Sequence, residues 1–157
     1  MKEIQLTQGK VALVDDEDFH YLNQWNWAAS KGKNYVWYAA RKEGRQRINM
    51  HRQITNFPKN QIIDHRDRNG LNNQKSNLRI CTIQQNNCNR RSAKNSTSKY
   101  LGVCTLTHRG TFYYQAGITY NKKKKLLYRG KSELKAAWLY DEAAIKLHGE
   151  FANLNFK

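Results

Sequence analysis

Proline occurs once in this chain, and cysteine three times (Cys81, Cys88, Cys104) with no C-x-x-C pair. One proline excludes a Pro-rich spacer protein. An odd number of cysteines without a close pair argues against a disulfide framework and against a cysteine-built zinc knuckle. No apolar run approaches the roughly 20 residues of a membrane helix, and Met1-Lys2-Glu3 opens no secretory h-region. The expectation is a protein that is neither membrane-bound nor secreted. Acids are scarce too: 12 Asp and Glu stand against 28 Lys and Arg, for a net charge of +16. The natural counter-charge is nucleic acid, although charge alone does not dismiss a generic basic protein.

The 157 residues fit one ordinary domain or two small ones. The hydrophobic share of 39% is low but above a disordered composition, and 11% aromatics suffice for two small cores. Residues 1–90 carry +7 and residues 91–157 carry +9, so both halves are basic. The stretch Ser92-Ala93-Lys94-Asn95-Ser96-Thr97-Ser98 is small and polar. It reads as a linker over 92–98 between domains at 1–91 and 99–157.

In the first half, 4–6 and 11–14 read as short strands. Asp15-Asp16-Glu17-Asp18 opens a helix through Leu22, where acids complement the helix dipole better than they suggest a metal site. Trp25, Trp27, Tyr35, Trp37 and Tyr38 gather around a Lys-Gly-Lys-Asn turn and read as core. A strand at 45–50 and a helical turn at 51–54 follow. In the second half, 100–106, 112–119 and 124–130 read as strands. Ser132 caps a helix reaching about His148, with an apolar stripe of Ala137, Tyr140, Ala144 and Leu147. A three-stranded sheet with a helix on one face leaves its other face to water or a partner. The fold class expected is α+β.

The chemistry concentrates in the centre. Ile62-Ile63-Asp64-His65 leads into a polar loop rich in Gly and Asn, then a short strand around Leu78-Arg79-Ile80-Cys81. Thr82 can cap a helix that presents Asn86 and Asn89. Strand, loop, strand, helix is a ββα unit over about 60–91. Asp64 and Asn86 offer hard oxygen donors of the kind Mg²⁺ accepts while keeping several waters. His65, on the opposite side of an extended chain, is free to take a proton from water at neutral pH. Such parts suffice for phosphodiester hydrolysis. The same residues also fit an ordinary polar loop.

The order Met50-His51-Arg52, Asp64-His65, Asn72-Asn73, Ser76-Asn77-Leu78-Arg79, Cys81-Thr82, Asn86 and Asn89 resembles the HNH nucleases, in the branch of phage and intron-encoded homing endonucleases. The resemblance implies a ββα-metal nuclease domain at 1–91. In it His65 is the general base, Asp64 and Asn86 hold a divalent metal, and Asn77 braces the loop carrying His65. It further implies Mg²⁺, with Mn²⁺ substituting, and products ending in a 3′-hydroxyl and a 5′-phosphate. His51, Arg52, Arg66, Arg79 and Asn89 are candidate DNA contacts. For His51 a packed structural role fits equally, and Arg68 joins the arginines as a phosphate clamp or a solvated charge.

Tyr100-Leu101-Gly102-Val103, Tyr114-Gln115-Ala116-Gly117-Ile118, Tyr140-Asp141-Glu142-Ala143-Ala144, His148-Gly149-Glu150-Phe151-Ala152 and Leu154-Asn155-Phe156 resemble the Apetala-type (ethylene-response-factor) DNA-binding domain. That family lays a three-stranded sheet in the major groove. By position, Lys99, Thr105, Thr107, Arg109, Tyr114, Lys123, Lys125 and Arg129 are the implied DNA contacts. Plant members carry Arg after the first Tyr and Trp in the second strand, where this chain has Leu101 and Tyr114, so base preference does not carry over.

The combined expectation is a site-directed endonuclease of the homing type acting on double-stranded DNA in the cytoplasm of a prokaryotic or phage-infected cell, close to the nucleoid. The alternative is a DNA-binding regulator built on an HNH scaffold that does not cut. RNA binding through exposed sheet aromatics is a more distant reading. No heptad marks a dimer, and monomer or homodimer stays open.

Overall fold

The computed structural model describes residues 1–32, 36–56, 60–89 and 95–156. Tyr35 and residues 92–94 of the expected linker lie outside the described residues. The chain divides into two compact units, Met1–Asn86 and Asn87–Lys157. That division comes earlier than the expected linker. Thr97 and Ser98 belong to the second unit: Thr97 Oγ1 accepts the Thr105 N–H at 2.9 Å, and Ser98 Oγ donates to Glu133 Oε1 at 2.8 Å. The architecture is mixed α and β, with small antiparallel sheets and four α-helices among the described residues.

In the first unit β1 (Lys2–Gln5) pairs antiparallel with β2 (Val11–Val14), and α1 (Asp16–Leu22) follows. Asp16, Glu17 and Asp18 occupy the first turn of α1, where the helix dipole favours them. Strands β3 (Ala28–Lys31), β4 (Trp37–Glu43) and β5 (Gln46–Asn49) form an antiparallel sheet with β4 in the middle. Helix α2 (Met50–Thr55) stops at Asn56, which takes the left-handed conformation and returns its N–H to the Arg52 carbonyl. Alternation along β2 turns Ala12 and Val14 into a core with Ile4, Leu22, Trp27, Ala39 and Met50, against which Trp25 and Trp37 pack. Next come β6 (Ile62–His65) and β7 (Leu78–Cys81), an antiparallel pair, and then α3 (Ile83–Cys88). Thr82 and Gln85 close a reciprocal capping box at the start of α3. Thr82 Oγ1 accepts the Gln85 N–H, and Gln85 Oε1 accepts the Thr82 N–H.

The second unit is an antiparallel sheet of β8 (Val103–His108), β9 (Thr111–Tyr120) and β10 (Lys123–Gly130), with β9 central. It is backed by α4 (Glu133–His148), whose N-cap is Ser132. Ala136, Ala137 and Ala144 are fully buried, so small side chains let α4 approach Val103, Ala116 and Ile118 closely. Asp141 pins the C-terminal tail, its carboxylate accepting the N–H groups of Asn155 and Phe156 at 2.9 and 2.8 Å. Asn155 Oδ1 in turn accepts the Leu101 N–H at 2.6 Å. Gly102 sits at φ +74°, and a Cβ there would fall within the Tyr140 ring. Gly102→Ala therefore combines backbone strain with overpacking and is expected to cost about 3 kcal/mol. Urea unfolding of the variant beside the wild type measures this.

Candidate active site

Strand β6 ends in two buried polar residues side by side, Asp64 and His65. Antiparallel register sets Asp64 opposite Arg79 of β7. Arg79 donates from Nε and Nη2 to the same oxygen, Asp64 Oδ2, at 2.9 and 2.8 Å. Each side chain of this pair is only 7% exposed. Arg79, a phosphate-clamp candidate on sequence grounds, is thus held inside the fold against Asp64. Two groups of opposite charge this deep are costly to separate, because each alone would be an uncompensated buried ion.

The imidazole of His65 lies among rings. Its centroid is 5.2 Å from that of His51 and 5.8 Å from that of Tyr38, and Tyr38 and His51 are 6.0 Å apart, all edge-on. Tyr38 comes from β4, His51 from α2 and His65 from β6, so the cluster exists only once three separate segments have packed. Burial lowers the proton affinity of His65, while the Asn73 side chain and the charges of Asp67 and Asp64 oppose it. Burial also pushes the Tyr38 phenol up, with the Asp64 charge adding to it.

His51 is buried, and among the described residues its Nδ1 has no hydrogen-bond partner. Burial first, then the neighbouring His65, Arg52 and Arg47, drive its pKa down to about 3. An unfolded chain would bind a proton at His51 below an ordinary histidine pKa of about 6.5. The folded state refuses it, so the contribution of His51 is complete above that pH and is lost as the pH falls toward 3. The expected loss is about 1.4 kcal/mol per pH unit across the middle of that window. Urea midpoints at pH 7, 5 and 4 check this, with His51→Leu expected to flatten the profile.

The loop between β6 and β7 is tied down at several points. Asn77 Oδ1 accepts the Asp67 N–H at 3.0 Å, and its Nδ2 donates to Asp67 Oδ1 at 2.9 Å and to the Asn72 carbonyl at 2.8 Å. The Arg66 N–H donates to the Asn77 carbonyl. One asparagine thereby fixes the residues that leave His65. Strand β2 holds the far side of the loop, Leu13 N–H donating to Leu71 O and Asn73 N–H to Leu13 O. Asp15 accepts the Lys75 N–H at 2.7 Å, and Lys75 Nζ meets Glu17 and Asp18. The acidic run therefore anchors this loop as well as favouring its helix. Asn86, in α3, is half-buried. The Asp64 charge acts on the Cys81 thiol and the Asn86 backbone N–H bonds its sulfur, so one thiol neighbours both Asp64 and the first turns of α3.

The remaining candidates are dispersed. Arg52 Nη2 donates to the Gln61 carbonyl at 2.6 Å, and Arg66 is exposed. Asn89 is buried in the second unit. Lys99 is exposed with its ammonium 5.0 Å from the Tyr100 ring, and Arg109 forms the β8–β9 turn at φ +50°. Register shows which face of the second unit's sheet each candidate strand residue lies on. Tyr114 packs on the Val103, Ala116, Ala136 and Ala137 core. Thr105 pairs with Tyr114, Thr107 with Phe112, Lys123 with Tyr120 and Lys125 with Ile118, all in the helix-side rows. The open face carries Leu106, Tyr113, Gln115, Lys124 and Leu126, and of the chosen strand residues only Arg129, which donates to Gln115 Oε1 at 3.0 Å. A one-residue slip in phase exchanges the faces of a strand. Tyr38 and Asn73 were missed as site residues. An aromatic in a cluster reads as core, and nothing local to Tyr38 marks its histidine neighbours.

A mixed α/β chain with a carboxylate and an imidazole buried in sequence on one strand, followed by a braced loop, a second strand and a helix, has the parts of a hydrolytic centre. The chain is 30% identical over 154 residues to a protein named as an uncharacterized HNH endonuclease of Acanthamoeba polyphaga mimivirus, covering 94% of this chain and 76% of that one. It is 32% identical over 97 residues to Protein 3.8 of Escherichia phage T7, covering 61% of this chain and 77% of that protein. No protein-family model and no solved structure matches it. The chain belongs to the HNH endonuclease family.

Proposed function

We propose that the protein is a DNA endonuclease of the homing type that hydrolyses phosphodiester bonds in double-stranded DNA with one divalent cation. The observation that carries this reading is the buried pair Asp64 and His65 on β6, with the following loop fastened by Asn77. The mimivirus relative, named as an HNH endonuclease, supports the nuclease part of this reading.

The donor chemistry suits a hard cation. Among the described residues no three His, Cys, Asp or Glu side chains gather as a metal cluster. One carboxylate and one amide oxygen, completed by water, suit Mg²⁺ or Mn²⁺ better than Zn²⁺. Asp64 and Asn86 would hold it. When bound, such an ion supplies Lewis acidity that polarises a phosphate oxygen and stabilises the charge on the leaving 3′ oxygen. Arg79 fixes the Asp64 carboxylate by gripping one of its oxygens. His65 is kept neutral at neutral pH by burial and accepts the proton of the attacking water at a ring nitrogen. Asn77 holds the loop beyond His65 and touches no substrate. The second unit aims the cut, through the open-face residues Leu106, Tyr113, Gln115, Lys124 and Arg129 and the Arg109 turn.

Cleavage is expected with Mg²⁺ or Mn²⁺ and none with excess chelator. The products are expected to rejoin directly with DNA ligase, as 3′-hydroxyl and 5′-phosphate ends do. Undiminished cutting in chelator, or ends that ligate only after enzymatic repair, would overturn this mechanism.

A further inference from the structure

Among the described residues, the ring of Tyr38 is the part of the centre that comes from the sheet of β3 to β5, outside the segment that carries the proposed chemistry. It is gripped along both edges. A Cβ on Gly70 would lie 2.6 and 2.7 Å from Tyr38 Cδ1 and Cε1, and one on Gly32 would lie 2.9 Å from Cε2. Only residues without side chains let the loop after β6 and the chain after β3 close on the ring so tightly. Tyr38 then presents itself edge-on to both His65 and His51. A buried imidazole with two ring neighbours set edge-on, at interplanar angles of 61° to Tyr38 and 87° to His51, has few orientations open to it, because rotation would bring its ring into theirs.

We propose that Tyr38 is a positioning residue that locks the imidazole of His65 in the orientation from which it deprotonates water. This rests on the nuclease reading. The ring, and not its hydroxyl, does the work, since the contacts to both histidines are ring to ring.

The test compares wild type, Tyr38→Phe, Tyr38→Leu, Gly32→Ala and His65→Ala as full-length proteins. Steady-state cutting of plasmid DNA in Mg²⁺ is read together with the side-chain ¹H–¹⁵N spectrum of His65. Tyr38→Leu is expected to lose about 10²-fold in kcat with KM unchanged, the scale on which small misplacements act. Tyr38→Phe restores most of the rate. Gly32→Ala, whose Cβ would meet the ring first at Cε2, displaces the ring from its other edge and lowers kcat in the same way, which keeps the test open should Tyr38→Leu fold poorly. His65 is expected to give one set of ring signals in wild type and Tyr38→Phe, and several in Tyr38→Leu. Wild-type kcat in Tyr38→Leu, equal losses in the Phe and Leu variants, or a single His65 orientation in Tyr38→Leu would overturn the proposal. If wild type itself does not cut, the nuclease reading fails, and the spectra still decide whether Tyr38 orients His65.

Discussion

His65→Ala is expected to stop cleavage while leaving DNA affinity unchanged. A positioned general base contributes typically 10²- to 10⁴-fold in rate, so the loss of His65 should push turnover below detection in a plasmid assay. Affinity behaves differently. Binding to DNA draws on phosphate contacts made by many cations, and the protein carries 28 Lys and Arg. The buried imidazole of His65 adds nothing to that attraction. Single-turnover cleavage and salt-dependent binding, measured on the same preparation, separate the two effects. A parallel fall in both would mean that His65 anchors the substrate instead of activating water. Thermal unfolding of the variant guards against a trivial cause, since His65 packs against Tyr38 and His51.

The second large effect concerns Arg79, and it is a stability effect first. Arg79→Met leaves the Asp64 carboxylate buried without its guanidinium, and removing one partner of a buried ion pair costs about 3–5 kcal/mol. That is a large share of the roughly 5–15 kcal/mol by which a domain is stable. Replacing both partners, Asp64→Leu with Arg79→Met, is expected to recover most of the loss, because an apolar pair of similar volume carries no desolvation penalty. The double variant should then fold and yet cut nothing, since the proposed metal ligand is gone. Urea unfolding of the single and double variants tests the coupling. A double variant no more stable than Arg79→Met alone would contradict the account of the pair.

Much of this architecture was legible from the chain. The second unit announced itself through runs of β-prone residues broken at Gly110 and Asn121 and through a capped helix with Gly149 beyond its end. The strands β6 and β7 and the helix α3 stood out too, with Thr82 marking the helix start. Strands β3 and β4 were not legible. Ala39 and Ala40 are consecutive and both buried, which breaks the alternation that identifies a strand, and alanine has little β preference of its own. Packing between β3 and β5 overrides that local preference. Ser96, Thr97 and Ser98 are polar and small as a linker would be, yet they spend their hydroxyls on hydrogen bonds within the second unit, which their residue types do not reveal.

Within the site, residue types revealed chemistry and concealed company. Asp64, His65, Asn77 and Asn86 could be named because their order follows a known motif. The pairing of Asp64 with Arg79 requires the register of β6 on β7, and the ring cluster requires β4 and α2 to meet β6. Neither is encoded locally. The sheet residues chosen as candidate DNA contacts lie mostly on the helix-side rows, since 103–120 is rich in Thr and Tyr on both faces and its alternation does not show which side the helix covers. The bulge between Leu126 and Tyr128 shifts the phase of β10 again.

The most direct test of the central claim is conversion of supercoiled plasmid carrying a library of phage DNA inserts to nicked and linear forms. Wild-type protein and His65→Ala would be run side by side in Mg²⁺, in Mn²⁺ and in excess chelator. The account predicts metal-dependent cutting by the wild type, none in chelator, and none by the variant in any condition. Tight binding of DNA by both proteins without cutting by either would contradict it and leave a DNA-binding regulator in its place.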